Sequence, residues 1–189
     1  MRKFDLNVEK VLEDWETADA VREIISNAID EEILSGSAKI RIFKDAKGWH
    51  VRDFGRGLRH NHLTQNESQE KLKNRDKVIG KFGVGLKDAL ATLDRHKVKV
   101  FIRSKYGDVT LALSSKPGFT DVVTLHALIE EPTDMRFAGT EFILPDADHH
   151  LAWRTDSHPE LHLRLPESLV VRAGDGRWKF QLAAEFYLC

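Results

Sequence analysis

Cysteine is almost missing from this 189-residue sequence, and the single one, Cys189, has no second thiol with which to form an internal disulfide. No apolar run is long enough to cross a bilayer, and the amino terminus has no signal-peptide apolar core. Neither sign of charge is in excess: Lys+Arg of 29 against Asp+Glu of 30 leaves a net charge of -1. No overall field therefore singles out nucleic acid or a membrane surface, although a local basic patch would not register in that sum. These absences lead to the expectation of a cytoplasmic protein with no membrane partner. The machinery of covalent catalysis is also missing, since no nucleophile-elbow signature occurs and Cys189 has no activating neighbour. His149, His150, His158 and His162 invite a zinc reading. However, His158-Pro159-Glu160-Leu161-His162 has its glutamate displaced by one position from the zincin arrangement, and the reading is set aside.

What is present is the composition of a globular domain, 41% apolar and 31% charged, at a length that suits one hydrophobic core. Leu6, Val8, Val11, Leu12 and Trp15 recur at helical spacing and predict a short opening helix that packs as a strap. Thr17 is placed to cap a second helix through about Leu34, with Val21, Ile24, Ile25, Ala28 and Ile29 on one face and Gly36 beyond its end. Lys39 to Phe43 and Trp49 to Phe54 alternate in period two around Asp45-Ala46-Lys47-Gly48, the pattern of a hairpin. From Arg59 to Ile79 the apolar pattern disappears, and a stretch of that length reads as a mobile lid over about 59–80. Leu86, Ala89, Leu90 and Leu93 mark another helix. Strand-like runs follow at Lys97 to Ser104, Val109 to Leu113, Asp121 to Leu128 and Thr140 to Leu144. This order predicts an α+β fold, a two-layer α/β sandwich with helices on one face of a mixed, mainly antiparallel sheet. Residues 1–145 form the expected domain. Residues 146–189, irregular until an apolar run from Phe180 to Leu188, read as a short extension of unknown role. Its abrupt end leads to the expectation of a truncated gene product or of a domain completed by another subunit.

Four constellations carry chemistry. Glu23, Asn27 and Asp30 share one face of the second helix, with Glu16 and Asp19 extending the stripe. Such a stripe is usually a solvated surface. Facing a cleft, it would offer the Asn27 oxygen to magnesium, a hard cation, and Glu23 as a base that polarises a water. Asp53-Phe54-Gly55-Arg56-Gly57 follows a strand. Asp53 there can accept from the exocyclic amine of adenine, and Gly55 and Gly57 let a flat base approach the backbone. Arg56 is expected to pair with Asp30 and hold this turn against the helix. Gly80-Lys81-Phe82-Gly83-Val84-Gly85-Leu86-Lys87 closes the lid and opens a helix, so its amides suit phosphate oxygens, with Lys81 and Lys87 adding positive charge. It is not a Walker loop, because Leu86 follows Gly85 where Lys and Ser or Thr would be needed. Gly139-Thr140, at a strand start, is uninformative alone.

Taken in order, these four constellations resemble the motifs of the GHKL superfamily of gyrase, heat-shock chaperone, histidine kinase and mismatch-repair ATPases, over about Ala18 to Leu144. Arg22 to Asn27 and Phe82-Gly83-Val84-Gly85 look most like the chaperone branch, and Asn27-Ala28-Ile29-Asp30 and Gly55-Arg56-Gly57 look like gyrase. The resemblance extends to bacterial stand-alone ATP-binding proteins of the superfamily, and it implies the Bergerat fold with ATP and magnesium as cofactors. It also implies Glu23 as the catalytic base, Asn27 as the metal ligand, adenine recognition by Asp53 with help from Thr140, and phosphate contacts from the Gly83 to Leu86 backbone. The expected function is binding of Mg-ATP with slow hydrolysis, driving a conformational or dimerisation switch with a second copy or a partner protein. A nucleotide-dependent interaction module without turnover and a histidine-kinase-like phosphotransfer domain are the alternatives.

Overall fold

The computed structural model describes residues 1–6, 14–64, 68–74, 76–80, 85–116, 119–145, 170–172 and 178–180. The chain opens with strand β1 (Arg2–Asp5), followed by helix α1 (Thr17–Ser35), the hairpin β2 (Arg41–Asp45) and β3 (Gly48–Arg52), and two short helices, α2 (His60–Thr64) and α3 (Gln69–Lys73). Helix α4 (Gly85–Arg95) precedes β4 (Phe101–Ser104), β5 (Asp108–Lys116), β6 (Phe119–Glu130) and β7 (Thr140–Leu144). Seven strands form one sheet in the order β1-β6-β5-β4-β7-β3-β2. A separate pair, β8 (Val170–Arg172) and β9 (Trp178–Phe180), is also antiparallel.

This architecture corrects the expected two-layer α/β sandwich. Every pairing within the seven-stranded sheet is antiparallel, so the sheet is not mixed. Among the described residues only α1 and α4 exceed five residues, too few to make a helical layer, and the fold is mostly β. The opening segment contributes to the difference. Arg2 to Asp5 pair with β6 as an edge strand, and the Leu6 N–H donates to Leu125 O at 3.0 Å. Residues 7–13 of the expected helix lie outside the described residues, as do 181–188 of the final apolar run and the four histidines weighed for zinc.

Helix α1 forms where its apolar stripe predicts, but its cap differs. Glu16, not Thr17, precedes the first turn, and its N–H donates to the Asp19 carboxylate at 3.0 Å. An acidic group there also complements the positive end of the helix dipole. Gly36, at φ 63, ends the helix in the left-handed conformation, which a residue without Cβ adopts at no steric cost. Ala20, Val21, Ile24, Ile25 and Ala28 are buried, as are Leu86, Ala89, Leu90 and Leu93 of α4. These two helices meet Val51, Ile102, Val109, Leu125, Ala127, Ile129 and Phe142 in one core.

Strand alternation divides β7 between two environments. Phe142 and Leu144 join the core, while Glu141 lies with His50 (3.2 Å) and Arg103 (3.2 Å) in a buried polar cluster. No helix of the described residues is long and apolar enough to cross a membrane.

Leu90 is completely buried and Ile33 is 38% exposed. Leu90→Ala is expected to lower unfolding stability by about 2–5 kcal/mol, and Ile33→Ala to change it by roughly 0.5 kcal/mol or less. Urea titration of the two variants measures both.

Candidate functional site

The side chains of one face of α1 are tied into a chain of hydrogen bonds. Asn27 Nδ2 donates to Glu23 O (2.8 Å) and to Glu23 Oε1 (3.0 Å), which leaves Asn27 Oδ1 as an acceptor. That oxygen receives Lys71 Nζ of α3 at 2.7 Å, and the same ammonium donates to Asp30 Oδ2 at 2.7 Å. Asp30 has no exposed surface. A buried carboxylate is tolerated only with several donors, and two more come from the backbone: Ile79 N at 2.6 Å and Gly80 N at 3.0 Å. Asp30 thus fastens Lys71 of α3 and the backbone at Ile79 and Gly80, a role different from the expected pairing with Arg56.

Arg56 instead lies between two other carboxylates. Its Nε and Nη2 donate to Glu31 at 3.0 and 2.9 Å, and its Nη1 and Nη2 donate to Glu70 of α3 at 2.8 and 3.0 Å. Its backbone N–H adds a 2.6 Å bond to Glu31 Oε1. Burial alone would raise the Glu31 pKa, but the Arg56 bonds outweigh it and hold the carboxyl below its ordinary value. Arg56 therefore links α1, the turn after β3 and α3.

The turn itself is organised by Asp53. Its Oδ1 accepts from Gly55 N (2.9 Å) and Thr140 N (3.2 Å), while Asp53 N donates to Thr140 O at 3.0 Å. β3 and β7 are neighbours in the sheet, so the carboxylate at the end of one strand reaches the start of the other. Gly139 makes the approach possible. Its φ is 80, and a Cβ there would lie 2.0 Å from Asp53 O. Gly85 has a comparable function at the start of α4, where a Cβ would lie 2.1 Å from Glu23 Oε1.

These segments surround a cavity of about 130 Å³. Of the residues singled out from sequence, Asn27, Asp53, Arg56, Gly57, Leu86 and Thr140 line it. Gly55 is bonded to Asp53, and Glu23 and Asp30 lie behind Asn27 and Lys71. Lys81, Phe82, Gly83 and Val84 lie outside the described residues. Ala28, Leu34, Leu58 and Phe142 give the cavity an apolar side, while Glu31, His62, Ser68, Glu70 and Lys71 complete its polar one. Of these, Glu31 could have been found from its i,i+4 relation to Asn27. Lys71 had no such signal, being one of several basic residues in a polar stretch.

Two carboxyls here are pushed up from their ordinary values. Burial raises Glu23, against the opposing charge of Lys71 and the bond from Asn27, and burial raises Asp53 against its amide donors. Among the described residues no group of three or more His, Cys, Asp or Glu side chains is placed to hold a metal ion. A cation here would depend on the amide oxygen of Asn27 and on the ligands it brings with it.

A Mycoplasma pneumoniae (strain ATCC 29342 / M129 / Subtype 1) chain, described only as an uncharacterized protein, is 43% identical to this one over 149 residues. The match covers 76% of this chain and 60% of that relative, so the chain spans about 60% of the length of the protein it matches. No family model matches the sequence.

A carboxyl raised on folding holds its proton longer in the native state, so stability falls as pH climbs from the ordinary value through the folded one. Glu23→Gln removes that term while retaining an acceptor for Asn27. Its stability relative to wild type is expected to improve as pH rises above about 4 and then to level off, in urea titrations at successive pH values. A difference independent of pH would contradict the assignment.

Proposed function

We propose that the cavity binds the adenine end of a magnesium nucleotide and that the chain hydrolyses ATP slowly, using the lid as a conformational switch. The observation that carries this reading is the convergence of Asn27, Asp53, Gly57, Leu86 and Thr140, drawn from separate parts of the sequence, on one cavity. The proposed roles follow the GHKL resemblance, and the local chemistry supports them. In its ionised form Asp53 can accept from the exocyclic amine of adenine, which guanine replaces by an acceptor, and the Thr140 N–H donates to the same carboxylate and orients it. Ala28, Leu34, Leu58 and Phe142 offer apolar surface to a flat base.

The residues fit magnesium in their donor chemistry. Asn27 Oδ1 is a neutral oxygen that already accepts from a cation, Lys71 Nζ, and a hard ion that keeps several waters needs few protein ligands. When bound, magnesium would supply charge neutralisation on the phosphate oxygens. Glu23, held by Asn27 and raised by burial, is a stronger base than an ordinary carboxylate and is suited to accept a proton. It would take that proton from a water whose oxygen bonds to the γ-phosphorus as the bond to the bridging oxygen breaks, leaving ADP and phosphate. The proposed setting is the cytoplasm, an inference from composition alone.

Calorimetry with ATP, ADP and GTP, with and without magnesium, tests the reading together with phosphate release from the same sample. ATP is expected to bind in preference to GTP and more tightly with magnesium. Asp53→Asn is expected to impair binding, and Glu23→Gln to retain ATP while losing phosphate release by about 100-fold or more. Absence of ATP binding to the wild-type chain would overturn the reading, and equal turnover by wild type and Glu23→Gln would remove the base from it.

A further inference from the structure

The lid helix α3 is fastened by two adjacent residues that face different partners. Lys71 points inward, 12% exposed, to Asn27 Oδ1 and Asp30 Oδ2, each at 2.7 Å. Glu70 points outward to the Arg56 guanidinium, which Glu31 of α1 also grips. We propose that α3 is a plug whose Lys71 ammonium is a tethered stand-in for the divalent cation, so that α3 must unseat before a metal nucleotide can enter. The proposal rests on the nucleotide reading above and adds a regulation to it.

Three observations point the same way. Asn27 Oδ1, the oxygen proposed to face the metal, is already occupied by a positive charge, and a second cation on the same oxygen would be repelled at contact distance. The cavity encloses about 130 Å³ with α3 seated, whereas sites for drug-sized ligands run from about 300 Å³ upward. Glu70, Lys71 and Ser68 form part of its wall, so displacing α3 is what would enlarge it. Release of Lys71 gives up the ion pair with Asp30 but leaves the Ile79 and Gly80 N–H groups on the buried carboxylate, so part of its hydrogen bonding survives the unseating. The far end of the lid can thus stay anchored while α3 swings.

A plug of this kind lowers apparent affinity by the fraction of molecules in which it is seated. The test uses the full chain, Lys71→Met and Glu70→Gln, titrated with ATP and magnesium in a calorimeter, with hydrogen exchange followed over residues 68–74. Lys71→Met keeps an unbranched stem, and Glu70→Gln loosens the outer fastening without touching Asn27 or Asp30. On this proposal Lys71→Met binds Mg-ATP about tenfold tighter, and Glu70→Gln shifts the same way by less. Exchange over 68–74 rises in both variants without nucleotide, and in wild type when Mg-ATP is added. Unchanged or weakened affinity in both variants, with wild type still binding Mg-ATP, overturns the plug and leaves the nucleotide reading standing. No binding by any of the three proteins overturns both.

Discussion

A carboxylate with no exposed surface, Asp30, is the constraint around which the site is arranged. Burying an unpaired charge would cost several kcal/mol, and leaving such a group without one partner costs about 3–5 kcal/mol. The protein answers with an ammonium and two backbone N–H groups, all from the segment between α2 and α4. Lys71, Ile79 and Gly80, which belong to no apolar stripe, are thereby given defined positions. The same bonds set Lys71 against Asn27, so the position of α3 and the charge beside Asn27 Oδ1 are a single property.

The antiparallel sheet supplies the second half of the site. Pairing of β3 with β7 brings the turn after Arg52 beside Gly139 and Thr140, although the two are far apart in sequence. Asp53 then binds its own turn and the neighbouring strand through one oxygen. Period-two alternation turns Thr140 and Phe142 towards the cavity and Glu141 towards His50 and Arg103 on the opposite face. One residue of register slip would exchange these two environments.

Local patterns were legible where one element is determined mainly by its own residues. The apolar stripe of α1, its glycine stop and the hairpin turn at Ala46-Lys47 are of this kind, and they lie within a residue or two of expectation. Strand alternation in β7 located Thr140 to Leu144 without error. The fold class was not legible, because sheet composition depends on pairing between distant segments. Leu6 has helix-compatible spacing with its neighbours, yet it is the backbone of Leu125 that fixes it. At the site, helical spacing predicted that Glu23, Asn27 and Asp30 share a face. Which cation meets Asp30 could not be read, since Arg56 and Lys71 both carry a positive charge and only tertiary geometry separates them. The distance from Arg56 to Glu31 and Glu70 is set by the turn after β3, and no local pattern encodes it.

The central claim is that a metal nucleotide takes the place now held by Lys71 against Asn27. A crystal structure grown with a non-hydrolysable ATP analogue and manganese tests it most directly, because anomalous scattering locates the ion independently of the nucleotide. The account predicts adenine against Asp53 and Thr140, an anomalous peak at Asn27 Oδ1, and Lys71 withdrawn from that oxygen. Nucleotide density outside this cavity, or a bound analogue with Lys71 still on Asn27, would contradict it.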